Sequence, residues 1–422
     1  MKLRWIVLLF IAVLAVINFA DKSIIGLSAV HIMKDLDLSY DQWGIVSSSF
    51  YWLFSIVGVV GASLSDRYGT EKMIGIMVII WTLSQSMVFF ISSLPMLIFS
   101  RVLLGLGEGP FFATAISHIS KWFPMEKRGL AISILNVGNV AGKAITAPLL
   151  IFIIATFQWR VAFLVMGLST LVWFVCWTWI GKKTPPKEVV QKDVPKAKEK
   201  FNWRAVRAEI TTPTFIITTL IMFICYGLIA FSSSFMPAFY VDVKNITETN
   251  MSYMIAIGGL LGAILSVGLS VVSDRIYGKT QNMRKSHVYL PAVLLVFSGI
   301  LHFIMPYLYS EVSFTIISIF ENAIILLLFT LLPQVVNSLM PEKRGTMSGV
   351  CMGIATTAGI VVPIILGKVI DVSGTVAQGY TVAIQFIAVF MVISAFFFVI
   401  VAKPNKQAIK VLQNKQIATE SN

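Results

Sequence analysis

Six ionisable side chains stand inside long apolar runs of this 422-residue chain: Asp21, Lys22, Arg101, Glu108, Lys143 and Glu321. At mid-depth in hydrocarbon an unpaired charge costs about 2.5–3.5 kcal/mol, so such residues face a polar cavity or one another and are candidates for function by default. Arg101 and Glu108 are seven residues apart. At about 100° per residue they return to within about 20° of one helix face, separated by a rise of about 10 Å. One surface then carries a fixed cation at one depth and a titratable carboxyl at another. Arginine suits a carboxylate, because its planar fork donates two parallel hydrogen bonds and stays charged. A permanent pairing of Arg101 with a carboxylate on the first or fourth helix is the structural alternative. Glu108 lies in Gly105-Leu106-Gly107-Glu108-Gly109, where glycines let neighbouring helices approach closely. A carboxyl in so dry a place either loads and releases protons near neutral pH or serves as a polar clamp.

The other polar residues carry less specific signals. Lys22 supplies charge without the arginine fork, either for a substrate carboxylate or as a partner for Asp21 or Glu108. Lys143 and Glu321 form a private pair across the two halves or add further substrate and proton groups. Asn18, Tyr51, Tyr226 and Asn322 offer neutral hydrogen bonds to a substrate or between helices. The four histidines and three cysteines have no metal-ligand spacing, so no metal and no cofactor are expected. No nucleophile–base constellation argues for an enzyme.

The elements that must position these residues follow from composition. The chain is 57% hydrophobic and 13% charged, with a mean hydropathy of +0.84. A soluble domain carries about 25% charged residues to clothe its surface. Spanning hydrocarbon takes about 20 apolar residues as a helix, and only helices or closed barrels satisfy their backbone in lipid. Twelve helices are predicted, at 5–29, 43–64, 73–92, 96–118, 128–155, 160–180, 214–240, 253–273, 288–309, 312–336, 345–371 and 378–402. The first is read as retained, because Asp21 and Lys22 follow its apolar run without a cleavage signal.

Net charge is +13, which in a soluble protein would suggest nucleic acid. Here the basic residues fall between apolar runs and report orientation instead. With both termini cytoplasmic, the outer loops hold Lys34, Arg160, Lys244 and Lys368. All other Lys and Arg lie on the inner side except Lys22, Arg101 and Lys143, as the positive-inside rule requires. The expected organisation is an N-terminal six-helix bundle over 1–180, a Lys/Pro/Glu-rich cytoplasmic linker over 181–213, a C-terminal six-helix bundle over 214–402 and a cytoplasmic tail over 403–422. A short surface helix is expected near Trp203–Glu209.

An internal repeat supports two halves. Ser65-Asp66-Arg67-Tyr68-Gly69 returns 208 residues later as Ser273-Asp274-Arg275-Ile276-Tyr277-Gly278. Pro124-Met125-Glu126-Lys127-Arg128-Gly129 returns as Pro341-Glu342-Lys343-Arg344-Gly345, and Pro148 and Pro363 sit at matching depth. A parallel repeat of six helices is the arrangement of the two halves of the major facilitator fold. The stretch Gly61 to Gly69 resembles the loop motif of that superfamily. Within it, Asn18-Phe19-Ala20-Asp21-Lys22, Arg101 through Gly109, Trp122-Phe123-Pro124 with Arg128-Gly129, and Trp159-Arg160 are similar to the anion:cation symporter family.

That resemblance implies an all-α membrane protein of twelve transmembrane helices in two pseudo-symmetric bundles. It implies a multi-pass carrier in the cell membrane, expected as a monomer, that takes up a small organic anion such as a sugar acid by alternating access. Protons are the expected coupling ion, with Glu108 and Asp21 as coupling carboxyls and Arg101 and Lys22 as anion-binding cations. Lys22 stands where relatives mostly carry arginine. Asp66, Arg67, Arg128, Asp274, Arg275 and Arg344 are expected to form a cytoplasmic gate of inter-helix charge contacts, unless they report topology alone. Two other readings stay open: an exporter of amphipathic compounds, and a membrane anion sensor that does not transport.

Overall fold

The computed structural model describes residues 2–181, 183 and 203–404, and within them not the side chains of positions 2, 59–63, 66, 125, 139–141 and 143. Most of the predicted linker and nearly all of the tail therefore lie outside the described residues. No strand occurs among those described. The long helices of the first half are α1 (Lys2–Leu27), α3 (Tyr40–Tyr68), α4 (Thr70–Met87), α5 (Leu94–Glu108), α6 (Phe111–Trp122), α7 (Met125–Phe157) and α8 (Trp159–Ile180), with a short α2 (Ala29–Asp35). After α9 (Trp203–Ile210) come α10 (Pro213–Ser234), α11 (Glu248–Thr280), α12 (Leu290–Ile304), α13 (Glu311–Leu339), α14 (Arg344–Thr356), α15 (Ala358–Asp371) and α16 (Val376–Val401). Ten helical segments among the described residues are long and apolar enough to cross a membrane. Phe90, Trp179, Ile264, Val293 and Phe396 are exposed along these helices, the outward apolar surface that lipid, not water, accommodates.

Local chemistry accounts for the boundaries. α3 starts at Tyr40, earlier than predicted, because Ser39 Oγ accepts from the Gln42 N–H at 3.3 Å while Gln42 Oε1 accepts from the Ser39 N–H at 3.0 Å, a reciprocal cap. The predicted helix over 96–118 is two helices in one span, parted at Gly109-Pro110. The predicted helix over 345–371 is likewise divided at Thr357. The predicted helix over 214–240 ends at Ser234 and passes through a short turn, Met236–Ala238, into a wide helical turn, Phe239–Val243. The surface helix expected near Trp203 is α9.

The chain forms two compact units. Unit 1 comprises Met1–Glu199, Ile229–Leu260 and Gly359–Gly379. Its core is aromatic, with Trp81, Phe111, Trp122, Phe123, Trp173 and Trp177 buried among Val7, Leu14 and Leu104. Unit 2 comprises Lys200–Leu228, Leu261–Ala358 and Tyr380–Asn422. Its core is built on Leu295, Phe314, Leu328, Leu332, Val336 and Met347.

Unit 1 is closed at the end opposite its N-terminus. A Cβ on Gly44 of α3 would lie 2.5 Å from the Pro363 carbonyl oxygen of α15, and one on Gly367 would lie 2.5 Å from that of Tyr40. Only glycine permits such backbone contact. Trp43 Nε1 donates to the Ser234 carbonyl at 3.1 Å. Around this joint His31 of α2 meets Glu248 of α11 at 2.8 Å, and the Tyr40 N–H donates to Asp371 at 3.2 Å. Arg160 joins Asp35 at 2.5 Å and donates to the Ile91 carbonyl at 2.9 Å.

Candidate functional site

Unit 1 gathers residues from four helices into one buried polar cluster. On α1, Asn18 and Lys22 are one turn apart, and Lys22 Nζ donates to Asn18 Oδ1 at 2.8 Å. On α5, the buried face runs through Leu97, Ser100, Arg101, Leu104, Gly105 and Glu108. Arg101 and Glu108 therefore share the face that their spacing predicts. α5 lies close against α3 because Gly105 and Gly109 rest on the carbonyls of Phe50 and Phe54. That approach presents Phe50, Tyr51 and Phe54 to the charged groups.

Lys22 Nζ stands 3.2 Å from Glu108 Oε2, and Asn18 also faces that carboxylate. The Lys22–Glu108 approach is an ion pair lying off the angles of a full hydrogen bond. Of the two partners that the sequence allowed for Lys22, the structure brings Glu108 into contact. The ammonium also lies 5.2 Å from the centre of the Phe54 ring and 5.5 Å from that of Phe19, within the range of cation–π attraction. The Lys22 side chain is 29% exposed, whereas that of Glu108 is not exposed. The cation is thus the open member of the pair.

Arg101 and Asp21 are deeper. Arg101 is buried, its guanidinium 5.3 Å from the centre of the Phe50 ring and its Nε without a hydrogen-bond partner. It feels the charges of Glu108 and Asp21 and the hydroxyl of Tyr51. Asp21 is wholly buried; its Oδ1 accepts from Gln85 Nε2 of α4 at 2.6 Å, and its Oδ2 has no partner. The cluster thus holds two cations and two carboxylates and sums to zero when all four are ionised. Charges at this depth are tolerated only when compensated in this way. Gln85 was not singled out in the sequence. Its one signal was a polar residue inside the predicted third helix.

The remaining predicted residues belong to other stretches of the chain. In unit 2, the Tyr226 ring packs edge-on against Phe329 at 5.4 Å, and Asn322 Nδ2 donates to the Ser318 carbonyl at 2.7 Å. Glu321 Oε2 stands 3.6 Å from His302 Nε2; the Lys143 side chain lies outside the described residues, so its pairing with Glu321 does too. Among the residues expected to gate, Arg128 Nε donates to the Phe123 carbonyl at 2.9 Å and Arg67 lies 5.5 Å from the Tyr68 ring centre. Asp274, Arg275 and Arg344 are exposed, and the Asp66 side chain lies outside the described residues.

The described residues thus combine many membrane-length spans with a buried, compensated charge cluster. The chain belongs to the Major Facilitator Superfamily, whose family model matches residues 11–363. It is 28% identical to a hexuronate transporter of Bacillus subtilis over 94% of this chain and 96% of that one. It is also 28% identical to a probable sulfoacetate transporter, SauU, of Cupriavidus necator over 89% of each. A probable galactarate/D-glucarate transporter, GudP, of Bacillus subtilis is 24% identical over 89% of this chain and 87% of the relative. Among solved structures, a bacterial homolog of the human lysosomal transporter Spinster, inward-facing and occupied, superposes with a TM-score of 0.76 at 19% identity, covering 95% of this chain and 97% of that one. A D-xylose-proton symporter gives 0.76 at 13% identity, covering 95% and 98%. The chain is a multi-pass membrane transporter and not an enzyme.

Proposed function

We propose that this chain is a proton-coupled symporter that takes up a small organic anion, a sugar acid or another carboxylate, across a bacterial-type cell membrane by alternating access. In this reading twelve helices form two six-helix bundles over 1–180 and 214–402, joined by the cytoplasmic linker. Both termini are cytoplasmic, and the protein works as a monomer whose partners are the anion and the bilayer. The relatives named for hexuronate, sulfoacetate and galactarate/D-glucarate transport support an anionic substrate.

The observation that carries the reading is the ion pair of half-open Lys22 with buried Glu108. A proton arriving on Glu108 removes the charge that holds Lys22, and the ammonium is then free to take a substrate carboxylate. Arg101 and Asp21 add a second cation and a second carboxylate to the same balance. The protonated cluster carries one positive charge, and a bound monoanion returns it to zero. Loading a proton and an anion together therefore spares the site an uncompensated charge. Both must favour the same conformational change for one to drive the other. The seam at the closed end of unit 1 would part when the site turns to the other side, as rocking of the two repeats requires.

Glu108→Gln tests this directly. The amide mimics the protonated acid and cannot discharge. Uptake driven by a pH gradient in proteoliposomes should fall to background, while substrate exchange across the membrane persists. Equal gradient-driven accumulation by wild type and Glu108→Gln would sink the proposal.

A further inference from the structure

Gln85 is 1% exposed, and its Nε2 donates to Asp21 Oδ1 at 2.6 Å. Among the described residues it is the side chain that hydrogen-bonds Asp21. Glu108, Arg101 and Lys22 act on that carboxylate through their charges alone. Oδ2, the second oxygen, is buried and bare.

The helix that carries the amide is anchored beside it. One residue earlier, Ser84 Oγ donates to the Ser100 carbonyl of α5 at 2.7 Å. One turn earlier, Trp81 packs edge-on against Phe111 at 5.3 Å. α4 is thus fixed against α5 and α6 next to Gln85, and the side chain reaches Asp21 from a rigid base.

We propose that Gln85 is a positioning residue for proton transfer at Asp21: it occupies Oδ1, directs the incoming proton to Oδ2 and sets how readily that proton leaves again. The inference rests on the proton-coupled reading above and takes Asp21 as a second coupling carboxyl in it, the role the family resemblance implies. A carboxylate oxygen only accepts hydrogen bonds, so beside ionised Asp21 the amide presents its N–H. Beside the protonated acid, a half-turn of the amide presents its carbonyl. The bond to the charged form is the stronger of the two, so Gln85 as a whole favours the ionised state and speeds discharge. An apolar side chain at this position removes that preference and leaves Asp21 holding its proton.

The experiment measures uptake against pH in proteoliposomes for wild type, Gln85→Leu, Gln85→Met and Asp21→Asn, each first checked for monodisperse folding. Two apolar variants are used so that a folding defect in one leaves the other to decide. Loss of one charge-assisted hydrogen bond should move the pH of half-maximal uptake upward by about one unit. An unmoved profile in both apolar variants, beside an Asp21→Asn protein that has lost proton-driven uptake, overturns the inference alone. Full proton-driven accumulation by Asp21→Asn overturns the role of Asp21 and this inference with it. A purely structural Gln85 would lower activity at every pH without moving the midpoint.

Discussion

Arg101 sits where substitution should be least forgiving. It is 3% exposed, it serves two carboxylates at once, and its Nε is unspent. Truncating one member of a buried charged contact costs about 2–5 kcal/mol in binding. Arg101→Ala should therefore weaken substrate affinity about a hundredfold or more in a purified-protein titration, and Arg101→Lys should recover only part of it because the fork is lost. Unchanged affinity in Arg101→Ala would remove the residue from the site. The pairing of Arg101 and Glu108 on one face was legible in the sequence, because a seven-residue spacing on a helix leaves little freedom. The partner of Lys22 was not, since Asp21 and Glu108 were equally available until the approach of α1 to α5 was known. Gln85 was silent for a related reason: a neutral amide in an apolar run carries no charge deficit to betray it.

Between helices, the site depends on how nearly α5 approaches α3. Gly105 lies directly on the Phe50 carbonyl, where any Cβ would collide with main chain. Gly105→Leu should force the two helices apart, at a cost of about 1–3 kcal/mol for an overpacked contact, and carry Arg101 out of reach of Phe50. The expected results are a lowered midpoint of thermal unfolding and loss of anion binding. Gly268→Leu, on α11 with nothing within 4 Å of an added Cβ, should leave the midpoint unchanged. A Gly105→Leu protein as stable as Gly268→Leu would show that the close approach is dispensable. Hydropathy revealed the long apolar segments because length and composition suffice for them. It missed α2, whose seven residues are too few to signal a span. It also ran through the divisions at Gly109-Pro110 and Thr357, because an apolar run looks continuous whether or not its hydrogen-bond ladder is.

At the scale of the whole molecule, the closed end of unit 1 carries its own pH dependence. His31 faces Glu248 at 2.8 Å, and Lys34 and Asp242 also act on it. The hydrogen bond that the imidazole donates to Glu248 is the largest influence and raises the pKa of His31 above its ordinary value. Burial pushes the Asp242 carboxyl up as well. A histidine whose folded pKa is raised stabilises the fold fully at pH below its unfolded value, near 6.5, and ceases to do so as pH rises through the folded value. The stability lost in His31→Gln should therefore be greatest in acid and fade on the alkaline side. Thermal unfolding of both proteins across that range checks this, and a difference that is the same at every pH would refute it.

The centre of that end behaves differently from its edge. Where Gly44 meets Pro363 and Gly367 meets Tyr40, main chain touches main chain at 2.5 Å for any added Cβ. A joint of main chain on main chain leaves no room at its centre for a side chain, charged or neutral. Acidity and salt act on its rim instead, through His31 with Glu248 and Arg160 with Asp35.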